Sequence, residues 1–276
     1  MRGRTIEFTP ELRPLPRPNR NWSNLKRKTQ QRTATKNGDG VPVDFSKYTP
    51  DKYLLSWATI VCGVEPVYNG FYIHPAHSRL INWNSNAWLN RTLLESYRSF
   101  ILAENYVEHI QDQDLSKGRI LDAVAWIHEF PDPLLPKSKK VPTVFVDILV
   151  ATNRKNHPIL IKKIENGEVG ALSMGTYISH FQCSRCGIIC RDGKDDPCIH
   201  VADQLGNMFR GKDDLKHVTA ELCGIPGKKG SCVFQEASWV GTPAFSPAVK
   251  HGIIKEGSIQ GKPLKAYVPN YRSSRG

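Results

Sequence analysis

The ten residues from Thr143 to Thr152, "TVFVDILVAT", alternate so that Val144, Val146, Ile148 and Val150 fall on one face. A period of two marks a β-strand. Four further stretches read the same way: 52–64 ("KYLLSWATIVCGV", bounded by Pro50 and Pro66), 118–127 ("GRILDAVAWI"), 171–178 ("ALSMGTYI") and 231–240 ("SCVFQEASWV", closed by a Gly-Thr-Pro turn). Two segments between them carry helical spacing. In 85–103 ("SNAWLNRTLLESYRSFILA"), Leu89, Leu93 and Tyr97 recur on one side, and Ser85 or Asn84 can cap the start. After Thr152, Pro158 suits a first helical turn, Ile161 and Ile164 repeat at helical spacing, and Asn166-Gly167 supplies the stop. Strands separated by single helices predict an α+β fold: one compact, mostly antiparallel sheet or barrel with helices packed outside.

No apolar run approaches the roughly 20 residues that cross a bilayer. The N-terminal "MRGRTIEFTPELRPLPRPNR" has no apolar h-region, which predicts a soluble chain without a secretory signal, cytosolic where it is made. The net charge of +12 is confined to the two ends. Residues 1–36 hold ten Lys/Arg and two Glu, and residues 255–276 hold five Lys/Arg and one Glu, so 37–254 is neutral. A nucleic-acid enzyme carries its basic footprint on the folded domain; contact with nucleic acid is here expected only through the tails. Both tails lack apolar periodicity and read as largely disordered. The expected organisation is a basic tail over 1–45, a folded domain over 46–254 and a basic tail over 255–276.

Seven cysteines, an odd number in a cytosolic-looking chain, argue against a disulfide framework. Four of them lie in "CSRCGIICRDGKDDPCIH". Cys183, Cys186, Cys198 and His200 offer three thiolates and one imidazole, the donor set of tetrahedral Zn²⁺, with Cys190 able to replace His200. Four protein ligands leave no open position, so the zinc is expected to be structural, holding a knuckle insertion over about 181–215. Buried free cysteines are the plainer alternative, disfavoured because so many ligand types share one short polar segment.

Composition alone says little about Ser173, in "ALSMG", or about His109, in "NYVEHIQDQ": a serine in a strand and a histidine in a loop are ordinarily structural. Three stretches change that. "ENYVEHIQDQDLSKGRILDAV", "VDILVATNRKNHPILIKKIENGEVGALSMG" and "EASWVGTPAFSPAV" follow one another in this chain. Together they resemble the histidine motif, the strand–helix–Leu-Ser-x-Gly serine motif and the closing Glu-x-Ser…Pro-Ala segment of the prohead (head maturation) proteases of tailed bacteriophages. This serine protease family is distantly similar to the herpesvirus assemblins. The resemblance covers roughly residues 50–250, and "CSRCG…CIH" is similar to the zinc-type insertion of a large-phage branch. It implies a herpesvirus-protease-like fold with Ser173 as nucleophile and His109 as general base. It places Glu236 third in the triad, with Asp122 and Asp147 as rivals on nearby strands.

The same resemblance implies a protease acting in the host cytoplasm, inside the viral prohead. Its substrates would be the scaffold or core protein, the major capsid protein and the chain itself, with self-association as a further contact. The T-even branch cuts after Leu/Ile-x-Glu, which points to autocleavage after Glu256 in "GIIKEGS". Two other classes compete. A zinc-dependent nucleic-acid-binding protein would account for the knuckle and the tails but leaves the neutral domain unexplained. A catalytically inactive scaffold component with the protease fold would keep the motifs without the chemistry.

Overall fold

The computed structural model describes residues 43–44, 47–131 and 140–254, with the short strands Arg13–Leu15, Thr33–Lys36, Asp39–Pro42 and Ala266–Val268. Its main elements, in chain order, begin with β1 (Tyr53–Val64), β2 (Asn86–Leu89), α1 (Asn90–Ser96), β3 (Glu104–Val107), β4 (Gly118–Pro131) and β5 (Lys140–Asn153). They continue with α2 (Pro158–Asn166), β6 (Ala171–Ile178), β7 (His180–Cys183), β8 (Ile189–Arg191) and α3 (Ile199–Asp203). The last three are β9 (Glu221–Cys223), β10 (Cys232–Val240) and β11 (Lys250–Ile254). The fold is α+β, with few helices and one large mixed sheet. Its strand order is β6-β10-β3-β4-β5-β1-β2-β9-β7-β8, and β11 pairs with β1. Most neighbours are antiparallel; β10 with β3, β1 with β2 and β2 with β9 are parallel. No helix among the described residues is long and apolar enough to cross a membrane.

β5 lies at the centre of the sheet, and every residue from Thr143 to Thr152 is buried, so both its faces are covered. Buried polar groups need partners. The Asp147 carboxylate accepts from the Thr59 hydroxyl at 2.7 Å, and Thr143 Oγ1 meets His77 Nε2 at 2.8 Å. Trp239 Nε1–H donates to Thr152 Oγ1 at 3.2 Å. α2 forms where its local signals put it: Pro158 opens it, Ile161 and Ile164 are buried, and Gly167 closes it at φ +81°.

The long helix expected over 85–103 is not formed. Asn86–Leu89 is a strand, α1 follows with Leu89 as its N-cap rather than Ser85 or Asn84, and Tyr97–Phe100 is a 3₁₀ turn. Ala87, Trp88 and Leu89 are all buried where β2 inserts between β1 and β9, and sheet pairing outweighs helical spacing there. Among the described residues of the tails, Arg13–Leu15 pairs with Ala266–Val268, and Thr33–Lys36 pairs with Asp39–Pro42. His251 belongs to β11, and its Nε2 lies 2.9 Å from Thr59 Oγ1.

The two sides of the sheet are drawn together by residues 248–254. Leu172 N–H donates to Ala248 O, Ala171 bridges Val249, and the chain then runs on as β11 against β1. β6, the last strand of the path, is thereby set over a cavity whose other side is the β2–β9 arm.

Candidate active site and metal centre

β10 runs between β6 and β3, and these three neighbouring strands supply the site. Ser173 stands opposite Ser238 in the β6–β10 ladder, and Gly175 stands opposite Glu236. Cross-strand partners share a face, and so do residues two apart on one strand. Ser173, Gly175, Glu236 and Ser238 therefore lie on one side. β3 runs parallel to β10, with Tyr106 opposite Ser238 and Val107 opposite Trp239. Beyond β3 the chain turns through two consecutive left-handed residues, Glu108 (φ 48°) and His109 (φ 58°). Left-handed backbone is unfavourable for side chains this large, and such strain clusters at functional sites. Three contacts hold the turn: Glu108 N–H donates to Trp239 O at 3.0 Å, Gly241 N–H to Glu108 Oε1 at 2.9 Å, and His109 N–H to Ser238 Oγ at 3.2 Å. His109 thus follows a strand, where a helix was expected to precede it.

His109 Nδ1 lies 2.7 Å from Glu236 Oε1, and Glu236 Oε2 accepts from the Ser238 hydroxyl at 2.7 Å. Both carboxylate oxygens act as acceptors, so Nδ1 carries the proton and Nε2 is left as the basic nitrogen. Glu236 is 1% exposed while the His109 side chain is 40% exposed, so the pair is buried at the acid and open at the base. The hydrogen bond to Glu236 raises His109 above its ordinary value of 6.5, against burial, which lowers it; the charges of Glu236 and Glu108 add to the rise.

Ser173, His109 and Glu108 line one cavity of about 480 Å³. Ser173 is half-buried. It and His109 share this wall with no direct hydrogen bond between them. Across the cavity stand Trp83, Asn86, Glu221 and Cys223. Burial raises the Glu221 carboxyl, with the Asp192 charge adding to it. A Cβ on Gly175 would come within 2.6 Å of Glu236 Oε1 and 2.8 Å of Gln111 Nε2, so this position must be glycine for Glu236 to reach His109.

Of the acids weighed for the third position, Glu236 alone meets His109. Asp147 is engaged with Thr59 inside the sheet, and Asp122 is buried opposite Leu149; neither lines the cavity. Ser238, which orients both Glu236 and the His109 backbone, escaped the sequence reading. Its signal is the spacing of Glu236-Ala237-Ser238 on a strand, which puts the acid and the hydroxyl on the same face.

Cys183, Cys186, Cys198 and His200 form a second cluster, their ligand atoms all within 4.8 Å of one another. Cys186 Sγ and Cys198 Sγ are 3.5 Å apart, and Cys198 Sγ and His200 Nδ1 are 3.9 Å apart. A tetrahedral ion about 2.3 Å from sulfur spaces its ligands by about 3.8 Å, so the set fits a metal ion such as zinc. Burial pushes the Cys183 thiol up to about 12, an expense that a bound cation would offset. Cys190 lies outside the set, its Sγ 3.6 Å from Asp196 O, so His200 rather than Cys190 completes the group of four.

Compared with known proteins, the chain matches no family model, no curated protein and no solved structure.

Proposed function

We propose that the chain is a serine endopeptidase of the phage prohead-maturation type, with Ser173 as nucleophile, His109 as general base and Glu236 orienting His109. The observation that carries this reading is the delivery of the three side chains from β6, β10 and the turn that follows β3, with the Glu236–His109 hydrogen bond leaving Nε2 for the cavity that Ser173 and His109 line. In the acylation step His109 Nε2 takes the Ser173 hydroxyl proton as Oγ bonds to the scissile carbonyl carbon. The imidazolium then protonates the departing amine as the C–N bond breaks. Water, activated by the same nitrogen, releases the acyl group. Beyond the bridge at Ala171–Val249, β6 ends the strand path, and its outer edge suits an extended polypeptide paired alongside.

On this reading the fold is herpesvirus-protease-like with a structural zinc insertion held by Cys183, Cys186, Cys198 and His200. Zinc supplies folding free energy there and no catalytic step. The substrates are scaffold, major capsid protein and the chain itself within the prohead. The autocleavage position after Glu256 lies outside the described residues; Ile254, just before it, ends the last strand of the main sheet.

The direct test is labelling with a small fluorophosphonate and peptide mapping. One adduct on Ser173 is expected. Reaction elsewhere, or no adduct in a folded sample, would remove Ser173 as nucleophile. Gly175→Ala gives a second check on the geometry. Its methyl group displaces the buried Glu236 from His109, so hydrolysis should fall about 10²-fold and the melting temperature should drop by only a few degrees, with the fold retained. Unchanged hydrolysis would show that the Glu236 contact does not matter.

A further inference from the structure

The two sites are joined by one short strand. β9 is only three residues long, held between β2 on one side and β7 on the other. Its partners on β7 are Phe181 for Cys223, Gln182 for Leu222 and, at the end, the metal ligand Cys183 for Glu221. The next residue, Ser184, ties the ligand loop to the approach to β9. Ser184 N–H donates to Ala220 O at 2.9 Å, Ala220 N–H donates to Ser184 Oγ at 2.7 Å, and that hydroxyl donates to Val218 O at 3.0 Å. Glu221 and Cys223 in turn face Ser173 and His109 across the cavity.

The arm that carries β7 has little of its own to hold it. The buried part of its apolar cluster is Phe181, Cys183, Cys190 and Val201, with Ile178, Cys186, Cys198 and Leu205 packed against it at partial burial, and half of these eight are cysteines. A segment burying so little cannot offset the conformational entropy of ordering it, and a metal cross-link supplies what burial does not. The catalytic strands β6, β10 and β3 lie at the opposite end of the strand path and rest on the main core, where Leu172, Phe234, Ala237 and Trp239 are fully buried.

Resting on the protease reading for the identity of the cavity's occupant, we propose that the metal cluster assembles the substrate-facing wall formed by Glu221 and Cys223, and so governs substrate binding without touching Ser173, His109 or Glu236. Cys183 and Ser184 are then positioning residues that act through β9. The wall meets the catalytic strands across the cavity and where Cys223 and Gly224 pack on Cys232 at the start of β10, away from Ser173, His109 and Glu236, so loss of the metal loosens the wall and spares those three groups. A large substrate that spans the cavity feels the loss, whereas a small electrophile that needs only Ser173 and His109 does not.

Backbone hydrogen exchange on the full chain, zinc-loaded and after chelation, tests this without any need for activity. Chelation should speed exchange in 180–191 and 218–223 at least about tenfold, with 104–107, 171–175 and 232–240 unchanged, and stoichiometric Zn²⁺ should restore protection. In parallel, the rate of fluorophosphonate labelling at Ser173 should stay within about twofold, while KM for a polypeptide substrate rises about tenfold or more. Ser184→Ala guards against general unfolding: it removes the hydroxyl ties and keeps all four ligands. It should retain one bound metal yet lose protection at 218–221 and raise KM in the same direction. Unchanged exchange in 218–223 after chelation overturns the proposal, and so does equal loss in the catalytic strands. If no Ser173 labelling or cleavage occurs in either state, the protease reading fails, and the exchange data still decide whether the metal holds the wall.

Discussion

Replacing Ser173 by alanine is expected to abolish proteolysis, lowering kcat by about 10⁶-fold and leaving only what the cavity achieves by binding alone. The change should leave the fold intact. Ser173 is half-buried in the β6–β10 ladder opposite Ser238, alanine keeps the backbone pairing, and the effect on stability should stay within about 0.5 kcal/mol. Intact mass spectrometry of the chain co-expressed with the scaffold or major capsid protein proposed as substrates reads the outcome. Shortened products from the wild type alone are expected, and their masses place the cuts, including or excluding Glu256. Full-length masses from both, in folded metal-loaded samples, would end the protease reading and bring forward the inactive scaffold component.

The second large effect is expected from Glu236→Gln. Glutamine fills the same buried space but presents an amide that no longer selects the Nδ1–H tautomer of His109, and kcat/KM should fall about 10⁴-fold. The pH profile separates this from a simple packing fault. In the wild type the hydrogen bond to Glu236 raises His109 above 6.5, so the basic form, and with it kcat/KM, should rise with pH through an apparent value on the alkaline side of 6.5. In Glu236→Gln the residual activity should follow a profile displaced toward lower pH. The sign for stability is the reverse of that for activity. A histidine whose folded value is raised binds its proton more tightly when folded, so its contribution is complete below the unfolded value and is lost as pH rises through the folded one. Between 6.5 and the raised value, therefore, the wild type gains activity while it gives up the charged His109–Glu236 pair. A mutant profile that overlays that of the wild type would show that Glu236 does not set the histidine.

Much of the architecture was legible because its causes are local. The boundaries of α2 follow from Pro158, the Ile161–Ile164 spacing and Gly167, all within one short segment. β6 occupies 171–178, the span read from "ALSMGTYI". The stretch from 85 to 103 was misread because Leu89 and Leu93 satisfy a helical period whether or not Ala87, Trp88 and Leu89 are claimed by a sheet. That claim comes from β1 and β9, strands far away in the chain. The same limit held at the site. Asp122, Asp147 and Glu236 are all acids on strands, and only the resemblance of "EASWVGTPAFSPAV" favours Glu236 among them; what brings it to His109 is a three-dimensional fact, its placement on the strand between Ser173 and the His109 turn.

By itself, then, the sequence determined the period-two strands, the capped helix and the grouping of Cys183, Cys186, Cys198 and His200, because propensity, capping and ligand spacing act over a few residues. The tertiary structure alone decided which acid meets His109, that Ser238 orients both, that the 108–109 turn is left-handed, and that Cys183 of the cysteine–histidine cluster stands beside the cavity wall at Glu221. Each of these depends on strand order and register. Register is set by how a whole sheet buries its apolar faces, a property that no short segment of the chain contains.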